Sequence, residues 1–369
     1  MKRLVAGAAV VVILAGLILL ADYRYGLRDA LTGVPTRECG SYPRSSFNLP
    51  DYKGLNYGTP PTTSGAFVGT RWLRADEWPK VEPALRADLD FIEKKQLGHL
   101  VRLFVGLDQV MVWDDSRGFV GYDARGLDRF QAALDMFQEH GMDLIVVLFD
   151  DEEASSPGNF RSSALDGFHP AMRNNYLRAV DVFLRRFGSS PAVVGWDLFN
   201  EPYNSIGRRG ETPGQMTGGF HYADSVVHAW LRDLYRVARC AAPDAWFTAS
   251  DTTDLYWHNP PDASLYDDVV DFYDMHVYDD NPRVRDWKAF LQKPYLLGEV
   301  AASVEDKHYR DQALTSQTVR FMLEHGAAAG VSAVLAQAPD GLLFPPDRRQ
   351  LTETGFVLAC FGNANAAGC

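Results

Sequence analysis

The sequence lacks an excess of basic residues. Its 36 lysines and arginines stand against 48 aspartates and glutamates, which gives a formal net charge of -12 at pH 7. A protein that binds a nucleic-acid backbone needs a basic face to neutralise the phosphates. We therefore expect no nucleic-acid partner, whereas a neutral substrate is compatible with this charge.

Two common ligand-binding motifs are also missing. The first predicted strand and the residues that follow it read Gly54-Leu-Asn-Tyr-Gly58-Thr-Pro, which does not provide the glycine-rich phosphate loop of an open doubly wound sheet. No His-x-His pair stands at a strand end. The acidic run Asp150–Glu153 is more typical of a solvated loop than of a calcium site, which is the alternative. We expect no cofactor and no metal.

The sequence has only one long hydrophobic run, from Leu4 to Ala21, and it follows Lys2 and Arg3. Its length suits a bilayer span, and Ile18–Ala21 offers no small-x-small cleavage site. An uncleaved signal anchor over residues 1–24 is therefore favoured over a cleaved signal peptide, which would make the protein secreted. The basic start would stay in the cytoplasm, so the rest would be extracytoplasmic, either periplasmic or extracellular.

Cysteines are few, and none of the four forms a close pair typical of a zinc or thioredoxin motif. In an exported chain disulfides persist, so Cys39 is predicted to pair with Cys240 and Cys360 with Cys369. Free buried thiols are the alternative.

The remaining sequence predicts one large domain over residues 51–369, after a proline-containing linker over residues 25–50. Apolar strands alternate with segments of helical spacing, as expected for parallel strands covered on both faces. Eight such units predict an α/β fold, a closed (β/α)₈ TIM barrel, with an open doubly wound sheet as the rival. The predicted strands are Lys53–Tyr57, Leu100–Val105, Leu144–Phe149, Val193–Phe199, Trp246–Ala249, Val270–His276, Tyr295–Gly298 and Val331–Leu335.

Two of these strands end in a carboxylate. The fourth runs into Asn200-Glu201-Pro202, and the seventh delivers Glu299. In a barrel of this kind active-site groups lie at the C-terminal strand ends. Cleavage of a glycoside with retention needs an acid and a carboxylate nucleophile about 5–5.5 Å apart. The pattern suggests Glu201 as the protonated acid and Glu299 as the ionised nucleophile. A helix N-terminal carboxylate is the alternative for Glu201.

Four further residues are predicted to support this pair. Arg102 lies inside an apolar strand, where a cation needs a carboxylate partner, and Glu299 is the expected one. His276 and Tyr278 share one side of the sixth strand, where the tyrosine hydroxyl can donate to the nucleophile. Asn200 can bind the sugar 2-hydroxyl. The alternatives are a loop contact for the arginine, a core histidine and a turn asparagine.

Together these residues resemble the cellulase and mannanase-type enzymes of the retaining (β/α)₈ clan, glycoside hydrolase family 5 above all. The resemblance rests on Arg102, Asn200-Glu201-Pro202, His276-x-Tyr278 and Glu299, and it covers about residues 51 to 340. It implies that the Asn-Glu-Pro glutamate is the acid/base and that the strand-seven glutamate is the nucleophile. The arginine, the histidine and the tyrosine would support them.

The chain departs from this family at two strand ends. The family usually has a tryptophan platform after strand eight, where this chain has Gln337, and many members have a histidine after strand three, where Phe149 precedes an acidic run. Trp113 and Trp257 stand in polar surroundings beyond strands two and five, so they are the better candidates for stacking on a sugar. Core packing is the alternative for each.

The leading hypothesis is a membrane-anchored, monomeric retaining β-glycoside hydrolase. It would act on an extracellular or cell-envelope polysaccharide of the β-mannan or β-glucan type. A catalytically inactive, membrane-anchored carbohydrate-binding barrel is the alternative, because the strand-eight tryptophan is missing. A metal-dependent hydrolase that uses His276 and aspartates is a third and weaker possibility.

Overall fold

The computed structural model describes residues 51–58, 72–114, 118–149, 170–202, 224–252, 266–279, 291–302, 311–336 and 350–362, together with Cys39, Phe47 and Leu49. The strands are β1 (Lys53–Gly58), β2 (Leu100–Phe104), β3 (Met111–Asp114), β4 (Gly118–Tyr122), β5 (Asp143–Val147), β6 (Val193–Asn200), β7 (Phe247–Thr252), β8 (Tyr273–Tyr278), β9 (Tyr295–Ala301) and β10 (Val334–Ala336). The helices are α1 (Trp78–Lys95), α2 (Ala124–Glu139), α3 (Pro170–Phe187), α4 (Asp224–Ala241), α5 (Gln312–Ala329) and α6 (Glu353–Cys360).

Eight parallel strands close into a barrel in the order β1-β10-β9-β8-β7-β6-β5-β2. The barrel is closed because β1 pairs with both β2 and β10. The predicted (β/α)₈ architecture is therefore confirmed, and the rival open sheet is wrong. All eight predicted strands are present, with ends that differ by at most three residues from the prediction.

The barrel interior is apolar near the starts of its strands. Leu100, Ile145, Phe272, Leu296, Ala333 and Leu335 form a buried cluster separate from the main core. These residues come from opposite sides of the barrel, so their side chains meet inside it. Phe47 covers this end of the barrel, since its ring stacks on that of Phe272, with the ring centroids 4.5 Å apart, and packs against the ring of Trp246, with the centroids 4.9 Å apart.

The helices cover the outside of the barrel through the main apolar core. Two of them begin at aspartate caps, as their sequences favour. Asp123 accepts hydrogen bonds from the second and third amides of α2, and Asp311 does the same for α5. Gly330 ends α5 in the left-handed region, with φ of 92°.

A disulfide joins Cys39 to Cys240, which confirms the first predicted pair. Cys360 is also disulfide-bonded, and its predicted partner Cys369 lies outside the described residues. Within the described part of the chain, no helix has the length and apolar character needed to cross a membrane. The predicted anchor, residues 1–24, lies outside that part, as does most of the linker.

Candidate active site

Arg102 organises the polar end of the barrel. It occupies the middle of β2, and its side chain is fully buried. Its Nη1 donates to Oε1 of Glu299 at 2.6 Å, so the predicted ion pair is present. Its Nη2 lies 2.8 Å from Oδ2 of Asp197. The same nitrogen lies 2.7 Å from Oδ1 of Asn200 and 2.9 Å from the hydroxyl of Ser250. One guanidinium thus links β2 to β6, β7 and β9.

Glu299 is held by two donors at the end of β9. Besides Arg102, the hydroxyl of Tyr278 donates to its Oε2. Burial alone would raise the pKa of Glu299, but the positive charge of His276 when it is protonated, the charge of Arg102, and the hydrogen bonds from Tyr278 and Arg102 bring this pKa below its ordinary value. Burial also keeps the pKa of Tyr278 well above its usual range, so the phenol remains a donor. The site therefore favours an ionised Glu299.

Glu201 follows β6 directly and has an unusual backbone. Its φ is 48°, in the left-handed region that a non-glycine residue adopts at a cost of about 1–3 kcal/mol. Its amide donates to the carbonyl of Ser250 at 3.0 Å, which ties this conformation to β7. The side chain remains 21% exposed, unlike that of Glu299. The turn thus directs a carboxyl group out of the strand end toward solvent.

His276 connects the two glutamates. Its Nδ1 lies 2.6 Å from Oε1 of Glu201 and 3.7 Å from Oε2 of Glu299. Burial lowers the pKa of His276, although the neighbouring Glu299 opposes this shift. The contact at 2.6 Å is a hydrogen bond in which either Nδ1 or the carboxyl group of Glu201 is the donor, according to which of them carries the proton. Because the lowered pKa leaves the histidine uncharged near neutral pH, Arg102 is the lasting positive charge beside Glu299.

The two carboxyl groups are close together. One oxygen of Glu201, one oxygen of Glu299 and a ring nitrogen of His276 all lie within 4.8 Å of one another. Retaining glycosidases place their carboxyl groups about 5–5.5 Å apart, whereas inverting enzymes leave about 6.5–9.5 Å for a water molecule. The separation is in the range for direct attack by one carboxylate.

Comparison with known families decides what kind of protein this is. Residues 78–332 match the sequence model of the family described as Cellulase (glycosyl hydrolase family 5). The chain belongs to glycoside hydrolase family 5. It is accordingly a glycoside hydrolase that acts on O-glycosyl bonds with retention, as the resemblance predicted. Among curated proteins, none matches this family 5 sequence.

Several solved structures share the fold of this family 5 chain. The β-mannanase of the blue mussel Mytilus edulis has a TM-score of 0.60 and 15% identity, covering 88% of this chain and 93% of its own. The β-1,4-D-mannanase of Cryptopygus antarcticus has a TM-score of 0.61 and 16% identity, with 84% and 90% covered. A GH5_18 variant from Streptomyces cattleya in complex with Manβ1-4GlcNAc has a TM-score of 0.60 and 17% identity, with 86% and 82% covered.

The structure brings most of the predicted site residues together but not all of them. The residues that share one contact network are Arg102, Asn200, Glu201, His276, Tyr278 and Glu299. Trp113 lies on β3, and its surroundings are more apolar than predicted, because its ring packs against those of Tyr176 and Phe119, with ring centroids 5.2 Å and 6.3 Å away. Its predicted contact with sugar stays a prediction. Trp257 and Gln337 lie outside the described residues.

Three site residues were missed by the sequence analysis. Asp197 and Ser250 contact Nη2 of Arg102, and Oδ2 of Asp274 lies 3.2 Å from its Nε. Both aspartates stand inside otherwise apolar strands and are fully buried. The argument that singled out Arg102 applies equally to them, because a buried carboxylate also requires a partner. Ser250 carries no such signal, since a serine in a strand is unremarkable.

Proposed function

We propose that this chain hydrolyses a β-mannan-type polysaccharide by double displacement, with Glu201 as acid/base and Glu299 as nucleophile. The observation that carries this proposal is the contrast between two carboxyl groups with oxygens within 4.8 Å of each other. Glu299 is buried and receives hydrogen bonds from Arg102 and Tyr278. Glu201 is partly exposed and meets the ring nitrogen of His276.

In the first step, an oxygen of Glu299 attacks the anomeric carbon while Glu201 gives its proton to the departing glycosidic oxygen. A glycosyl ester on Glu299 and a shortened sugar chain result. In the second step Glu201 removes a proton from water, which attacks the same carbon and releases Glu299. His276 fits both steps, because a neutral ring beside Glu201 leaves that residue free to exchange its proton.

Asn200 is proposed to bind the sugar hydroxyl next to the anomeric carbon. Its Oδ1 accepts hydrogen bonds from Arg102 and, at 3.1 Å, from the hydroxyl of Ser250. These two donors fix the orientation of the amide, so the NH₂ group faces away from Arg102. A hydrogen bond from that group to the 2-hydroxyl would strengthen in the transition state.

Mannan is proposed over glucan because three of the structural neighbours named above are described by mannose-containing names or ligands. The family description supports β-glucan as the second candidate. Gln337 stands in place of the usual tryptophan, which implies that a different residue forms the platform for the sugar at the cleavage point. We propose that the rings of Trp113 and Trp257 stack on sugar units further along the polysaccharide.

We also propose that the domain works outside the cytoplasm, anchored by residues 1–24 or secreted if this segment is cleaved. The apolar run from Leu4 to Ala21 supports this, as do the disulfide-bonded cysteines Cys39, Cys240 and Cys360. Protease treatment of intact cells should remove an extracellular domain. Protection that persists after the outer permeability barrier is opened would contradict the proposal.

The test is hydrolysis of β-mannan, glucomannan, carboxymethyl cellulose and aryl β-glycosides by wild type and by Glu201→Gln and Glu299→Gln. On mannan we expect wild-type activity and a loss of about 10³-fold or more in both variants. With a dinitrophenyl leaving group, which needs no proton, Glu201→Gln should still form the glycosyl-enzyme. Binding of glycans without any turnover would instead support the inactive carbohydrate-binding barrel.

A further inference from the structure

Three buried carboxyl groups surround one guanidinium. Arg102 has Glu299 at Nη1, Asp197 at Nη2 and Asp274 at Nε. If all three acids were ionised, the centre would carry two uncompensated negative charges, because His276 is neutral. Uncompensated buried charge is costly, and proteins usually avoid it by protonating one of the groups.

The hydrogen bonds indicate which acid carries the proton. Asp197 has the pattern of an ionised carboxylate, because Oδ2 accepts from Arg102 at 2.8 Å and Oδ1 accepts from the amides of Phe199 and Ser250, each at 3.2 Å. Asp274 is as deeply buried, yet neither of its oxygens accepts a hydrogen bond from the described residues. Nε of Arg102 lies 3.2 Å away but is not aligned to donate.

The position of the Asp274 carboxyl group is also fixed by close packing. A Cβ atom added to Gly298 would lie 2.0 Å from Oδ1 of Asp274, so the carboxyl group rests directly on the backbone before Glu299. Register places Asp274 beside Leu296 in the β8–β9 pair, on the same side of β8 as His276. The carboxyl group therefore fills the space between the guanidinium and the strand that carries the nucleophile.

We propose that Asp274 is protonated in the resting site and acts in this neutral form as a positioning residue. It supports Arg102 between Glu299 and Asp197 without competing for the charge that Glu299 needs. Burial raises the pKa of Asp274 to about 7; Arg102 and His276 oppose this rise, and Asp197 and Glu299 add to it. The kinetic part of the proposal rests on the assignment of Glu299 as the nucleophile.

The first test reads the proton without substrate. In a Glu201→Gln background, which removes the other acid expected to be protonated, the infrared C=O band of a protonated carboxyl group is recorded at pH 6. We expect the added substitution Asp274→Asn to remove this band, and the control Asp271→Asn, at a buried aspartate that pairs with Arg239 rather than with Arg102, to retain it. A band that is the same with and without Asp274 overturns the proposal, whatever the activity of the enzyme.

The second test compares shape with charge. Asp274→Ala should lower kcat at least about tenfold, because removing the carboxyl group leaves an empty space beside the guanidinium group of Arg102, which can then shift. Asp274→Asn should recover kcat to within about threefold of wild type, because an amide keeps the shape of a neutral carboxyl group. Asp197→Asn should lose at least about tenfold, because there the charge is required. If Asp274→Asn loses as much as Asp197→Asn, the acid acts as an anion and the proposal fails. The asparagine variants decide the question even if Asp274→Ala does not fold.

Discussion

Replacing Tyr278 with phenylalanine tests the environment of the proposed nucleophile. The substitution removes one hydroxyl that donates to Oε2 of Glu299 and keeps the ring, which is buried at the end of β8. The donor stabilises the ionised carboxylate, so its loss raises the pKa of Glu299. Because the nucleophile must be ionised, the acid limb of the pH profile of kcat/KM should move to higher pH.

The size of the shift follows from the number of donors. A hydrogen bond to a charged group contributes about 1.5–3 kcal/mol. One pKa unit corresponds to about 1.4 kcal/mol, so losing this donor should raise the acid limb by about one to two units. Arg102 at 2.6 Å remains as the other donor, which prevents a larger shift.

The assay is the pH dependence of kcat/KM on an aryl β-glycoside with a good leaving group, which keeps proton donation by Glu201 from limiting the rate. Tyr235→Phe is the matched control, because its hydroxyl donates to Oδ1 of Asp271 at 2.5 Å on the outside of the barrel. The control should melt earlier but keep the wild-type acid limb. An unchanged acid limb in folded Tyr278→Phe would refute the role given to this hydroxyl.

Three further outcomes are expected. Cys39→Ser should lower the free energy of unfolding by about 2–5 kcal/mol, because the disulfide to Cys240 closes a loop of 201 residues, and a reducing agent should lower the melting temperature of wild type more than that of the variant, which keeps the disulfide of Cys360. Gly298→Ala should destabilise by about 1–3 kcal/mol in denaturant unfolding, because its Cβ would lie 2.0 Å from Asp274; unchanged stability would contradict the packing. EDTA should leave the hydrolysis rate unchanged, because Nδ1 of His276 is engaged in a hydrogen bond with Glu201 at 2.6 Å and is not a free metal ligand. Loss of activity in EDTA that only added metal restores would contradict this prediction.

The sequence predicted the barrel because its signals are local and redundant. Each barrel strand is buried on both faces and therefore reads as an apolar run, bounded by polar or turn residues. The hairpin of β3 and β4 was not predicted, because its pattern is short and half-exposed, with Val112 42% and Val120 44% exposed. Strand β8 begins at Tyr273, later than predicted. Asp271, two residues before the start of this strand, accepts a hydrogen bond through its carboxylate from the amide of Phe247.

The site residues could be predicted where a charged side chain stands within an apolar strand or at its end. A cation in an apolar strand identified Arg102, and acids at strand ends identified Glu201 and Glu299. Which groups share one guanidinium depends on the registers of strands far apart in sequence, and so the pairing with Asp197 required the structure. The left-handed backbone of Glu201 also has no signature in the sequence, because the residue is not a glycine.

The most direct test of the central claim is to trap the glycosyl-enzyme. The protein is incubated with 2-deoxy-2-fluoro-β-mannosyl fluoride, or with the glucosyl analogue, and the labelled peptide is identified by mass spectrometry. The account predicts one added sugar on Glu299 in wild type and in Glu201→Gln, and none in Glu299→Gln. A label on any other residue of the active enzyme would contradict the assignment of the nucleophile.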